Sequence, residues 1–111
     1  MTVKDFLLTY SVSPRSHRYD SDAEKIRQHI RNFEFLSNWD RIENLETVLK
    51  GTLDIVGSNI SERRDDAKDQ VYEFFRNVFN EDNLSTNVYS EIDIYVALLV
   101  DGLGESIELR I

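Results

Sequence analysis

Apolar and polar side chains alternate with a period of two along four stretches of this chain and recur at helical spacing along two others. The first alternating stretch, Lys4 to Ser13, sets Phe6, Leu8, Tyr10 and Val12 on one face and Leu7, Thr9 and Ser11 on the other. Both faces are apolar at the centre, which predicts a central strand covered on both sides. Leu45 to Ile55 alternates just as strictly and predicts a half-buried strand. Trp39 to Glu43 reads either as a shorter strand before it, joined by a tight turn near Asn44, or as an irregular connection. Ile92 to Val100 alternates again, with apolar residues on both faces from Tyr95 onwards. After the turn Asp101-Gly102-Leu103-Gly104, Ile107, Leu109 and Ile111 suit a final short strand.

The helical spacing appears twice. Ser21-Asp22-Ala23-Glu24 has the form of a capping box, and Ile26, Ile30 and Phe33 continue as an apolar stripe, with Arg27, Gln28 and Arg31 facing water. His29 falls on the polar side and reads as a surface residue. A second helix is expected from Glu62 to Phe79, with Ala67, Val71, Phe74, Phe75 and Val78 along its stripe. Its charged residues, Arg63, Arg64 and Asp66 among them, read as a solvated outer face. Asn80 to Asn87 reads as a loop. The order is strand, helix, one or two strands, helix, two strands. That is an α+β chain, expected to form one ferredoxin-like βαββαβ sandwich over residues 1–111 with an additional C-terminal strand.

Composition narrows the chemistry. The 111 residues include no cysteine, which removes disulfides, thiolate catalysis and cysteine-bound zinc and suits a reducing cytoplasm. The net charge of −8 opposes a duplex phosphate backbone, so nucleic-acid binding is expected to be weak. The beginning of the chain has charges at Lys4 and Asp5, and no apolar run approaches the length of a membrane span. A cytoplasmic protein without membrane contact is the expectation.

Three stretches resemble the small CRISPR-associated endonuclease family, the non-integrase subunit of spacer acquisition, and its stand-alone relatives. Leu7 to Ser13, LLTYSVS, resembles that family's first strand, which ends in a Tyr-Asp-Val/Ile step. Leu45 to Leu53, LETVLKGTL, and Ile92 to Asp101 resemble two of its later strands. The resemblance implies a homodimer built from sheet edges and C-terminal strands. It also implies a metal-binding acid at the end of the first strand, and Ser11 stands at that position here. A neutral hydroxyl is a poor ligand for Mg²⁺ beside a carboxylate, so the chain is expected to bind without catalysing, with no metal and no cofactor.

The remaining candidates follow from local composition. Arg15, His17 and Arg18, with Tyr10, Ser11 and Tyr19 close by, form the one basic and aromatic neighbourhood and could contact nucleic acid or a protein partner. His17 with Asp20 and Ser13 or Ser16 lacks the spacing of a triad and reads as solvated loop. Asp65, Asp66, Asp69 and Glu73 have metal-like helical spacing but are interleaved with basic residues. Trp39 is either an interface aromatic or a cap on the core. Tyr95, Leu99, Ile107, Leu109 and Ile111 are expected to form a dimer interface, because two helices cover only one face of such a sheet. Three functions stay open: a non-catalytic dimeric module, a ribonuclease using Tyr10, His17 or Asp20, and an acidic inhibitor of a nucleic-acid-binding protein.

Overall fold

The computed structural model describes residues 2–32, 38–81 and 91–111. Strand β1 runs from Thr2–Pro14, followed by a single 3-10 turn at His17–Tyr19 and helix α1 over Asp20–Asn32. Strands β2 (Trp39–Ile42) and β3 (Leu45–Ile55) form a hairpin, and α2 covers Ile60–Glu81. Strands β4 (Ile92–Val100) and β5 (Ile107–Arg110) complete an antiparallel sheet in the order β2-β3-β1-β4-β5. β1 is the middle strand, antiparallel to β3 on one side and to β4 on the other. It follows that β1 and β2 run parallel with β3 between them, and β3 and β4 run parallel with β1 between them. Each helix therefore bridges two parallel strands that flank a third.

The register explains which residues become core. Leu8 pairs with Leu49 and with Leu98, and Tyr10 pairs with Val96, so alternate positions on neighbouring strands point to one side. That side is roofed by Ala23, Ile26 and Ile30 of α1 and by Ala67, Val71, Phe75 and Val78 of α2, all fully buried. Trp39 is half-buried and caps this core, stacking on Phe74 at 4.4 Å and tilted against Phe6 at 4.7 Å. Gly51 is required beneath it, because a side chain there would run into the Asn38 carbonyl and the Trp39 Cα. The β2–β3 turn places Asn44 at φ 69, a left-handed conformation that asparagine tolerates.

Several side chains read as solvated instead tie the layers together. Arg27 donates from Nη2 to the Val12 carbonyl at 2.7 Å, fixing α1 to the end of β1. Arg64 reaches from α2 to the β4–β5 turn and donates to the carbonyls of Leu103 and Glu105 at 2.6 Å each and of Ser106 at 3.4 Å. Asp66 accepts from the Val56 amide at 2.9 Å, and Arg63 Nε donates to the Gly57 carbonyl at 3.1 Å. Long side chains bend back along apolar surface to reach such carbonyls, so a charge at a polar helical position need not face water. His29 is half-buried, not at the surface.

The helix starts also differ from expectation. α1 begins at Asp20, continuing the 3-10 turn, so Ser21 lies inside the helix and Glu24 accepts from Arg27 Nη1 instead of capping. The capping device sits on α2, where Asn59 Oδ1 accepts the Glu62 amide at 2.9 Å and Glu62 in turn accepts from the Ser58 amide and hydroxyl. Those two Ser58 bonds hold the Glu62 carboxyl below its ordinary range. Phe33 and residues 82–87 of the expected loop lie outside the described residues, while Asn80 and Glu81 are helical.

Candidate interaction surface

The second face of the sheet carries the side chains that α1 and α2 do not cover. The expectation of a central strand covered on both sides is corrected within the single chain: β1 is roofed on one face only. On the other, Leu7 is 43%, Tyr95 46% and Leu99 49% exposed. These three share one surface by pairing, since Leu7 lies opposite Leu99 and Ser11 opposite Tyr95, with Thr9 opposite Ala97 between them. Together with Thr9 and Ala97 between them, they form the apolar centre of this uncovered face. A hollow of about 540 Å³ lies across it, bounded by Thr9, Ser11, Tyr95, Ala97, Glu108 and Arg110.

Charges of both signs rim the apolar centre. Lys50 of β3 pairs with Leu7 of β1 and with Asp40 of β2, while Glu108 and Arg110 of β5 pair with Ala97 and Tyr95 of β4. The strongest electrostatic feature is Asp93, whose carboxylate receives Arg15 through two bonds, Nε to Oδ2 at 3.2 Å and Nη2 to Oδ1 at 3.1 Å. Arg110 Nε lies 3.5 Å from Oδ1, and the Tyr95 hydroxyl donates to Oδ2 at 3.4 Å. The Arg15 hydrogen bond is the main cause that holds the Asp93 carboxyl below the usual carboxylate range, against the opposing effect of partial burial. The same hydrogen bond raises the Arg15 guanidinium further above its already high value.

The sequence candidates separate. Ser11 lies on the open face within β1, which continues to Pro14, so it is inside the strand and not at its end. Tyr10 points the opposite way: it is buried, its ring 5.7 Å from that of Phe75, and its hydroxyl donates to the Glu46 carbonyl at 3.2 Å. Burial raises its phenol above the ordinary value, with Arg31 and Arg41 pulling the other way. As a stacking or catalytic surface residue Tyr10 is therefore corrected to core. Arg15 is engaged by Asp93, whereas His17 and Arg18 are exposed on the 3-10 turn and Tyr19 is half-buried against the core. The Arg18 guanidinium sits 5.6 Å from the Tyr19 ring centroid. His17 Nδ1 and Asp20 Oδ2 are 3.1 Å apart, yet among the described residues no hydrogen bond joins Ser13 or Ser16 to His17.

The two halves of the expected dimer interface also part company. Tyr95 and Leu99 stand on the open face, but Ile107 and Leu109 are buried at 6% and 7% exposure in the core of their own chain. β5 pairs with β4, matching Leu98 to Ile107 and Val96 to Leu109, so these side chains fall on the helix side. Ile111 is half-buried against the same core, its amide donating to the Ile94 carbonyl at 2.8 Å. Leu7, Lys50, Glu108, Arg110 and Asp93 also belong to this surface, beyond the candidates that local composition offers. Strand parity already placed Leu7 with Ser11; the Arg15–Asp93 pair, 78 residues apart, had no local signal.

Among the described residues no group of three or more His, Asp or Glu side chains is placed to hold a metal ion, and no helix is long and apolar enough to cross a membrane. No family model, curated protein or solved structure matches the chain.

Proposed function

We propose that this chain is a ferredoxin-like, non-catalytic binding module that works as a homodimer, made through the open face of its sheet. The strand order β2-β3-β1-β4, with each helix bridging parallel strands around a third, supports the ferredoxin-like assignment, and β5 is the additional strand beside β4. The observation that carries the functional reading is the open apolar surface of Leu7, Tyr95 and Leu99, rimmed by charges of both signs. A surface of this composition resembles the core and rim of a protein interface more than a site for chemistry. The kinship is with the CRISPR-associated family resembled by LLTYSVS, with Ser11 in place of its acid. A further protein partner, if basic, suits the −8 charge, whereas duplex nucleic acid binds weakly. The ribonuclease alternative loses Tyr10 to the core and is left with the exposed His17–Asp20 pair.

Light scattering and sedimentation velocity over a range of concentrations test this reading. The wild-type chain is expected to be a dimer, and Leu99→Glu a monomer with unchanged circular dichroism. A wild-type chain that sediments as a monomer throughout overturns the proposal. Incubation with RNA and duplex DNA in Mg²⁺ or Mn²⁺ is expected to leave both intact, and cleavage that Ser11→Ala abolishes would defeat the non-catalytic assignment.

A further inference from the structure

We infer that the open face closes on a second copy about a two-fold axis parallel to the strands, with β1 over the other copy's β4 and β3 over its β5. This rests on the dimer proposed above and adds its geometry. Four strands overlap, about 4.8 Å apart, with about seven residues at about 3.4 Å each in β3, β1 and β4 and four in β5, so the shared face is about 19 Å by 24 Å at its widest. That is on the order of 400 Å² in projection, before the relief of the side chains is added, against about 800 Å² of accessible area per partner in a standard protein interface.

The choice of axis comes from the order of charge and of side-chain size. Followed along the direction of β1, β3 presents Lys50 opposite Leu7 and then Val48 opposite Thr9, the last paired row; Glu46, the next exposed residue of the same parity, lies just beyond it. Followed the same way, β5 presents Glu108 in the row of Ala97 and then Arg110 in the row of Tyr95. The signs run in opposite orders on the two sides of the apolar centre. An axis along the strands, between β1 and β4, keeps the rows in order and exchanges β1 with β4 and β3 with β5. Glu46 then meets Arg110 of the second copy, and Lys50, one row away, lies within side-chain reach of its Glu108 across the gap of about 10 Å between packed sheets.

Sizes match under the same rotation. Leu7 comes over Leu99, and Ser11, the small residue bordering the hollow, comes under the large Tyr95 ring of the second copy. The hollow of about 540 Å³ thus receives a phenol ring from each side of the axis. An axis across the strands does worse on charge, although centred on the Thr9–Ala97 row it would bring Lys50 over Glu46 of the second copy. Centred on the Leu7–Leu99 row it sets Lys50 against its own copy, and centred one row higher it sets Glu108 against its own copy. Like charges face to face at an interface are strongly disfavoured.

Charge exchange tests the axis. Glu46→Lys alone and Arg110→Glu alone each place two like-charged pairs in the homodimer and are expected to weaken it about tenfold at low salt, as close cross-interface pairs do. Mixing the two variants restores both pairs at once, so the mixed dimer is expected to regain an affinity within about threefold of wild type. Fluorescence transfer between differently labelled chains reads the mixed species, and circular dichroism checks that each variant is folded. If either variant is misfolded, Lys50→Glu mixed with Glu108→Lys asks the same question. A dimeric wild type whose single variants gain nothing on mixing overturns this axis and leaves the dimer standing; rescue instead by Glu46→Lys with Lys50→Glu in one chain assigns the axis across the strands. A monomeric wild type overturns the underlying dimer itself.

Discussion

Leu7 and Leu8 are neighbours in one strand and the same amino acid, yet Leu8 is 1% exposed and Leu7 43%. The two faces of the sheet are built from alternate residues of the same backbone, and only the helices distinguish them. On the covered face, side chains of five strands and two helices merge into one cluster, and burial there drives folding. On the open face the same kinds of residue contribute to the folded single chain mainly by lying beside their strand neighbours. The difference separates what the fold needs from what it leaves available for an encounter.

The sharpest way to break that comparison is to truncate the two leucines. Leu8→Ala is expected to destabilise the chain by about 2–5 kcal/mol, because it opens a cavity in a packed core. Leu7→Ala should cost less than about 1 kcal/mol of single-chain stability and act on association instead. Urea unfolding of dilute samples measures both, and equal losses would abolish the distinction between the faces.

Gly51→Ala probes the edge of the covered face. The new methyl meets the Asn38 carbonyl and the Trp39 Cα, so β2 must shift and the Trp39–Phe74 stack must loosen. A loss of about 1–3 kcal/mol is expected, as for other overpacked sites, together with a changed Trp39 fluorescence maximum. Arg64→Ala removes the bonds to Leu103, Glu105 and Ser106 from a part-buried site, for about 1–2 kcal/mol. Hydrogen exchange should show faster opening at Leu109 than at Leu49, since only β5 loses its anchor. Uniform loss of protection across the sheet would contradict this.

Asp93→Asn is expected to give the smallest effect and to sharpen the open face specifically. The folded carboxyl lies below its unfolded value because Arg15 bonds the ionised form. A depressed folded pKa contributes stability that is fully present above the unfolded pKa, about 3.9. That contribution is lost as pH falls through the folded value. The wild type should therefore lose an increment of stability below about pH 4 that the asparagine variant lacks. Thermal unfolding of the two proteins at pH 7 and at pH 3 measures it, and parallel changes would show that Asp93 carries no linkage.

Much of this architecture was legible in the chain because strand parity is a strict signal. The observed bounds of β3, Leu45–Ile55, and of β4, Ile92–Val100, are those the alternation predicts. The same parity grouped Tyr10 with Phe6, Leu8 and Val12, and so already separated it from Ser11. Proximity in sequence had put the two on one surface, but adjacent strand residues point to opposite sides. The start of α1 was misplaced because the 3-10 turn supplies a nucleus one residue before Ser21, and no capping pattern announces such a turn. Arg27, Arg64 and Asp66 were hidden by their own polarity, since a hydropathy pattern assigns a charge to water wherever its tip ends. The open face was foreseeable at Tyr95 and Leu99. Its β5 rim was not, because the register between β4 and β5 is a long-range pairing that the turn Asp101–Gly104 alone does not specify.

The place of β1 in the middle of the sheet also has a consequence in time. Its two neighbours are β3, which ends at Ile55, and β4, which begins at Ile92, an interval of 37 positions. At about 5–20 residues per second of synthesis, β1 waits about 2 to 7 seconds between the arrival of one neighbour and the other. Through that interval one edge of an apolar strand offers unpaired amides and carbonyls, a template for any other nascent strand nearby. Crowded polysomes carrying this message are therefore where copies of the chain are most exposed to pairing with the wrong strand, before either sheet face exists.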